Sequence, residues 1–117
     1  MSNQEDYLTA LKSIVHSDRR YDLEAYLLVQ NALSFLLARM KERRHVSARE
    51  LLEAIRHYAG RQYGPLGREV LEHWGVRRSE DFGEIVFNMI EKGLLKKTPE
   101  DSKEDFSGDE DFWNSFD

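Results

Sequence analysis

The chain has 117 residues, a length that suits one domain with a core large enough to stand without staples. It has no cysteine, which excludes disulfides, a thiolate nucleophile and cysteine-ligated zinc. The formal net charge of −5 is unevenly spread: residues 1–97 carry 16 Lys and Arg against 14 acids, whereas residues 98–117 carry one Lys against eight acids.

The first predicted helix covers Glu5 to Val15, with Tyr7, Leu8, Leu11, Ile14 and Val15 on one face. Glu5 and Asp6 stand where a secretory leader carries positive charge, so the expected location is cytoplasmic. A loop over His16–Arg20 follows. The second helix is predicted from Asp22, a suitable N-cap, to about Arg43. Its middle, AYLLVQNALSFLLARM, is apolar around most of its circumference, the pattern of a central helix packed on several sides. Gln30, Asn31 and Ser34 interrupt that run. No apolar stretch reaches the ~18 residues of a membrane span, so no membrane partner is expected.

The third helix follows Ser47-Ala48-Arg49-Glu50, a capping box, with Val46 placed to staple onto Leu51 or Leu52. Leu51, Leu52, Ile55, Tyr58 and Ala59 form its stripe, and Gly60 is its predicted stop. The fourth begins at Gly64-Pro65, runs through Leu66, Val70, Leu71 and Trp74, and ends at Gly75. The fifth follows Ser79 and buries Phe82, Ile85, Val86, Met89 and Ile90. Gly83 inside it costs about 1 kcal/mol relative to alanine, which predicts a close helix contact there. Gly93-Leu94 reads as a left-handed C-cap with a hydrophobic latch, and Leu94–Lys97 as a short strand or an extended exit.

The expected fold is all-α: a compact bundle of about five helices over residues 1–97, with a helix-turn-helix or winged-helix-like C-terminal half. Residues 98–117, TPEDSKEDFSGDEDFWNSFD, form an acidic aromatic tail, extended or partly disordered. Its aromatics, Phe106, Phe112, Trp113 and Phe116, are candidates for docking on this domain, on a dimer mate or on another protein, because exposed aromatic patches are unfavourable.

No catalytic, cofactor or metal motif stands out. Glu53 with His57 and Glu69 with His73 are spaced i, i+4, whereas a carboxylate-bridged metal bundle uses Glu-x-x-His with further glutamates. Ser47 and Ser79 are explained as helix caps. Gly64-Pro65-Leu66-Gly67 lacks the lysine and hydroxyl residue of a phosphate loop. Basic residues do concentrate between 39 and 78, ten against five acids. Arg39, Arg43, Arg44, Arg49, Arg77 and Arg78 form a candidate basic patch able to neutralise phosphates. Against nucleic acid, the presumed reading helix exposes Glu80, Asp81, Glu84, Asn88 and Glu91, and acids on that face repel a duplex. The expected function is therefore a non-catalytic protein-interaction module with a protein partner or homodimer mate. The alternative is a winged-helix-like nucleic-acid binder whose acidic tail masks the basic patch.

The segments RYDLEAYLLVQNAL, HVSARELLEAIRHYA and QYGPLGREVLEHWGVRRSEDFGEIVFNMIEKGLLKKTPEDSKEDF resemble a small bacterial family first grouped from Verrucomicrobia and Planctomycetes. The likeness runs from Arg20 to about Phe106, with EDFGEIVFNMIEKGLL its most specific part. It implies a bacterial, cytoplasmic protein. The family has no assigned activity, so the resemblance transfers no functional residue.

Overall fold

A computed structural model describes residues 3–42, 44–96, 102–108 and 112. Among them the chain is all-helical and no strand is present. Four α-helices of 13 to 17 residues carry the fold: α1 (Asn3–Ser17), α2 (Leu23–Arg39), α3 (Ala48–Tyr63) and, later in the chain, α5 (Ser79–Glu91). The seven-residue α4 (Gly67–His73) follows a 3-10 turn over Gly64–Leu66, and a second 3-10 turn covers Lys103–Phe106. No helix among these residues is long and apolar enough to cross a membrane.

The helices begin where the caps are written. Asp22 accepts the Glu24 N–H at 3.0 Å. Ser47 Oγ accepts the Glu50 N–H at 3.1 Å, while the Glu50 carboxylate accepts the Ser47 N–H at 3.1 Å. Each bond satisfies a donor that the first helical turn leaves unpaired. At α5 the capping group is Asp81 rather than Ser79: its Oδ2 accepts the N–H groups of Arg77 and Arg78 at 2.8 and 3.2 Å. Ser79 is a buried residue of the first turn.

The ends differ more from the sequence reading. Helix α2 stops at Arg39, four residues before the expected Arg43, and Met40 turns into extended backbone at φ −81°, ψ 136°. Helix α3 runs through Gly60 to Tyr63, because the turn forms at Gly64, which takes φ 55°. Gly75 ends α4 at φ 95°, with Val76 N–H donating to the Leu71 carbonyl at 2.9 Å. Gly93 ends α5 in the same way at φ 75°, with Leu94 N–H donating to Met89 O at 2.9 Å. Leu94 and Leu95 form a bend, so the expected strand of a wing is not among the described residues.

The core lies where α2 meets α1, α3 and α5. Leu11, Tyr26, Val29, Leu52, Ile55, Leu71, Val76, Phe82, Ile85 and Met89 are essentially sealed from solvent. Leu8, assigned by periodicity to the buried face of α1, is 38% exposed. The N-terminal half of α2 is central as expected, with Ala25, Tyr26, Leu28, Val29 and Ala32 buried. Its C-terminal half is not: Leu33, Phe35, Leu36 and Leu37 are only half-covered.

Candidate functional site

Two clefts flank that half-covered end of α2. The first is an apolar groove of about 520 Å³. Leu33 and Leu37 form one wall, Val46, Ala48 and Leu51 a second, and Val86, Phe87 and Ile90 of α5 a third. Leu95 and Phe106 close its far side, and Arg44, His45 and Lys96 stand on its rim. No carboxylate lines it among the described residues. Helix α2 reaches this groove because it is apolar on more faces than the bundle covers. Helix α3 enters it through its own start, where the Ser47–Glu50 box fixes the chain direction and Val46 lies beside Leu51. Arg44 is held in place by Glu50 through bonds of 2.9 and 2.6 Å. That guanidinium, followed by the Ser47 N–H, holds the Glu50 carboxyl down at about 2.

The second cleft, about 580 Å³, lies on the other side of the α2–α3 pair and is lined by Phe35, Leu36, Arg39, Arg49, Glu53 and His57 among others. Arg39 places its guanidinium carbon 4.1 Å from the centre of the Phe35 ring, a cation–π contact. Phe35 also meets His57 and Tyr58 at ring distances of 6.0 and 6.1 Å. Glu53, spaced from His57 as a metal pair would be, is instead ion-paired with Arg56.

The candidate basic patch is divided. Arg39 and Arg49 line the second cleft, Arg44 the first, and Arg77 a third that shares no residue with either. Arg78 is exposed beside Arg77 in the α4–α5 connection. Arg43 lies outside the described residues. Separation in the fold, not in the sequence, breaks up the patch, because the two ends of the basic stretch are held by different helix junctions.

The tail aromatics are also placed. Phe106 is 4% exposed and Phe112 2%. Phe106 lies against Gly83 in α5: a Cβ on that glycine would come 3.1 Å from Phe106 Cβ and 3.1 Å from the Lys103 carbonyl oxygen. The close contact expected at Gly83 is thus with the tail and not with a helix of the bundle. Phe112 meets Phe82 edge to face at 5.6 Å. The segment is ordered locally by Ser102, whose Oγ accepts the Glu104 N–H at 3.2 Å, and by Asp105, which accepts the Ser102 N–H at 3.0 Å. Residues 102–108 therefore contain a capped turn in place of the expected extended chain. Trp113 and Phe116 lie outside the described residues.

Sequence reasoning missed what the polar residues of α5 do. Asp81 accepts the Tyr21 hydroxyl at 2.7 Å. Glu84 receives Arg20 at 3.1 Å and Lys103 of the tail at 3.3 Å. Asn88 donates to Asp18 and to the Tyr26 hydroxyl oxygen, both at 3.0 Å. The Arg20 bond, with Asn88 adding to it, holds the Asp18 carboxyl well below the usual carboxylate range. Burial pushes the Tyr21 and Tyr26 hydroxyls up. The helix is thus covered by the α1–α2 connection on one side and by the tail on another, and of its thirteen residues only Glu91 is exposed. Periodicity could not reveal this, since the partners lie 60 to 70 residues away in sequence or, for Lys103, 19 residues away.

No family model matches the chain, and no curated protein or solved structure matches it either.

Proposed function

We propose that the chain is a non-catalytic helical interaction module that holds an acidic amphipathic segment of a protein partner in the groove between the C-terminal half of α2, the start of α3 and the end of α5. One observation carries the reading: an apolar groove of about 520 Å³ with Arg44, His45 and Lys96 on its rim and, among the described residues, no carboxylate in its lining. Its volume lies in the range of small binding sites, with room for a few apolar side chains. Its shape, walled by three helices, suits the helix-in-groove mode, in which apolar anchors enter the floor and charged residues meet the rim. The described hydroxyls near it, Ser47 and Ser102, serve as helix caps, which supports a binding role over a catalytic one. Kinship with the bacterial family resembled above, and a cytoplasmic location, belong to the same proposal and add no residue roles.

The winged-helix-like nucleic-acid reading has less support. A reading helix must present free polar side chains to a groove, and in α5 Asp81, Glu84 and Asn88 are engaged by Tyr21, Arg20, Lys103, Asp18 and Tyr26.

A photo-crosslinking residue at Leu37 tests the proposal in cells. The expected result is a discrete adduct that is lost in Leu95→Glu, which puts a carboxylate on the groove wall, and better retained in Leu95→Lys. An adduct of twice the chain mass would identify a second copy as the occupant. Equal adducts from the Glu and Lys variants would overturn the acidic partner, and no adduct at all would remove the groove from the story.

A further inference from the structure

The third cleft, of about 650 Å³, lies between the end of α1, the α1–α2 connection and the α4–α5 turn. It is polar where the first is apolar. Lys12, His16 and Arg19 follow one another at i, i+4 and i+7, so the two on α1 share a face that the chain continues into the turn. His73 and Arg77 line the same cleft from the α4–α5 side, and all five residues are exposed. None of the five makes a side-chain hydrogen bond or ion pair among the described residues. Arg20 also lines the cleft, but its guanidinium is committed to Asp18 and Glu84.

The floor is fixed. The Asp22 N–H donates to the Trp74 carbonyl at 3.0 Å, and Gly75 packs directly on the Arg20 carbonyl, a position no side chain could occupy. The walls therefore keep their spacing without a ligand. Two helix C-termini, those of α1 and α4, point their negative dipole ends here and favour a nearby cation or two. Three permanent cations, Lys12, Arg19 and Arg77, line this one cleft without an ion pair among the described residues, and like charges gathered in one cleft repel unless an anion joins them.

From this convergence we infer that the cleft between α1 and the α4–α5 turn binds a compact oligophosphate, held by Lys12, Arg19 and Arg77 with His16 and His73 beside them. Guanidinium groups bind phosphate oxygens in pairs, and the lysine adds a point charge. Asp22 and Glu72 also line the cleft. Their carboxylates disfavour a long polyanion running through it and select a ligand that fits inside. The site shares no lining residue with the apolar groove, so it stands or falls separately from the proposed function.

Calorimetric titration of the full chain with sodium tripolyphosphate at about 50 mM salt tests the inference, since exposed charges are only partly screened there. The expected result is saturable binding at one site. Replacing Lys12, Arg19 and Arg77 together by alanine should weaken it about 30-fold, at roughly threefold per exposed charge. Glu72→Gln should tighten it, and the double variant Arg39→Ala/Arg49→Ala should leave it within about twofold. These side chains are exposed, and unchanged far-UV circular dichroism would verify the fold. Absence of saturable heat, or equal affinity in the triple variant, would overturn the site. A single-stranded oligonucleotide that displaces tripolyphosphate at lower concentration would overturn the compact ligand in favour of a phosphodiester backbone.

Discussion

The contact between Gly83 and the tail makes a prediction whose sign depends on the tail. In a bare helix, Gly83→Ala should stabilise by about 1 kcal/mol, because alanine has less backbone freedom to lose on folding. In the full chain the new methyl would sit 3.1 Å from both the Lys103 carbonyl oxygen and Phe106 Cβ, and 3.3 Å from Phe106 Cδ2. Carbon atoms pack best at about 3.5–4.0 Å, so the turn over Lys103–Phe106 must retreat by a few tenths of an ångström. Overpacking of this kind costs about 1–3 kcal/mol. The net effect in the full chain is therefore a loss of about 0–2 kcal/mol, against a gain of about 1 in a chain ending at Lys96. Urea unfolding followed by far-UV circular dichroism, on all four proteins of the cycle, gives the coupling directly. The expected coupling is about 1–3 kcal/mol. An equal gain from alanine in both backgrounds would show that the tail does not rest on Gly83 in solution.

Gly75→Ala should cost at least about 2 kcal/mol in the same assay, since φ is 95° and the added Cβ would collide with the Arg20 carbonyl; a loss below about 0.5 kcal/mol would contradict the close approach. Ser47→Ala should lose about 1 kcal/mol with the capping box, and Ser47→Asp, which keeps the acceptor, should recover most of it. Tyr21→Phe should lose about 1 kcal/mol through the missing bond to Asp81, with no loss expected if that hydroxyl were bonded to water instead. Because the Asp18 carboxyl is held below its unfolded value of about 3.9, its stabilisation is complete above that pH and is lost as the pH falls below it. The urea midpoint should therefore drop more steeply below about pH 4 in the wild type than in Asp18→Asn, and parallel profiles would count against the Arg20–Asp18–Asn88 arrangement.

Local punctuation was legible in the sequence, and long-range commitments were not. The Ser47–Glu50 box, the Asp22 cap and the Gly93–Leu94 latch are each decided within a few residues, and each stands where the chain placed it. Gly60 misled as a stop because two glycines compete at the end of α3. A Cβ at Gly60 would meet nothing within 4 Å, and it is Gly64 that takes the positive φ. The early end of α2 has no breaker residue behind it; Met40 simply leaves the helix on the way back to α3. The acids of α5 misled most. An acid on a helix looks solvated in sequence, yet Asp81 and Glu84 are taken up by Tyr21, Arg20 and Lys103, residues that only the tertiary fold brings near.

The half-covered end of α2 joins these observations to function. Leu33 and Leu37 look into one cleft, Phe35 and Leu36 into another. The bundle does not need apolar residues at all four positions, since sealing the core falls to Ala25, Tyr26, Leu28, Val29 and Ala32 one to two turns earlier. Apolar surface left in water forgoes about 25 cal/mol per Å² that burial would supply, and a partner that covers it gains that term. Among the described tail residues, Phe106 closes one side of the first groove and Phe112 packs on Phe82. In the proposed function, that uncovered surface is what an occupant from outside would bury. The basic cleft across the fold, at the end of α1, shares no wall with it, so an anion bound there would add charge without displacing that occupant.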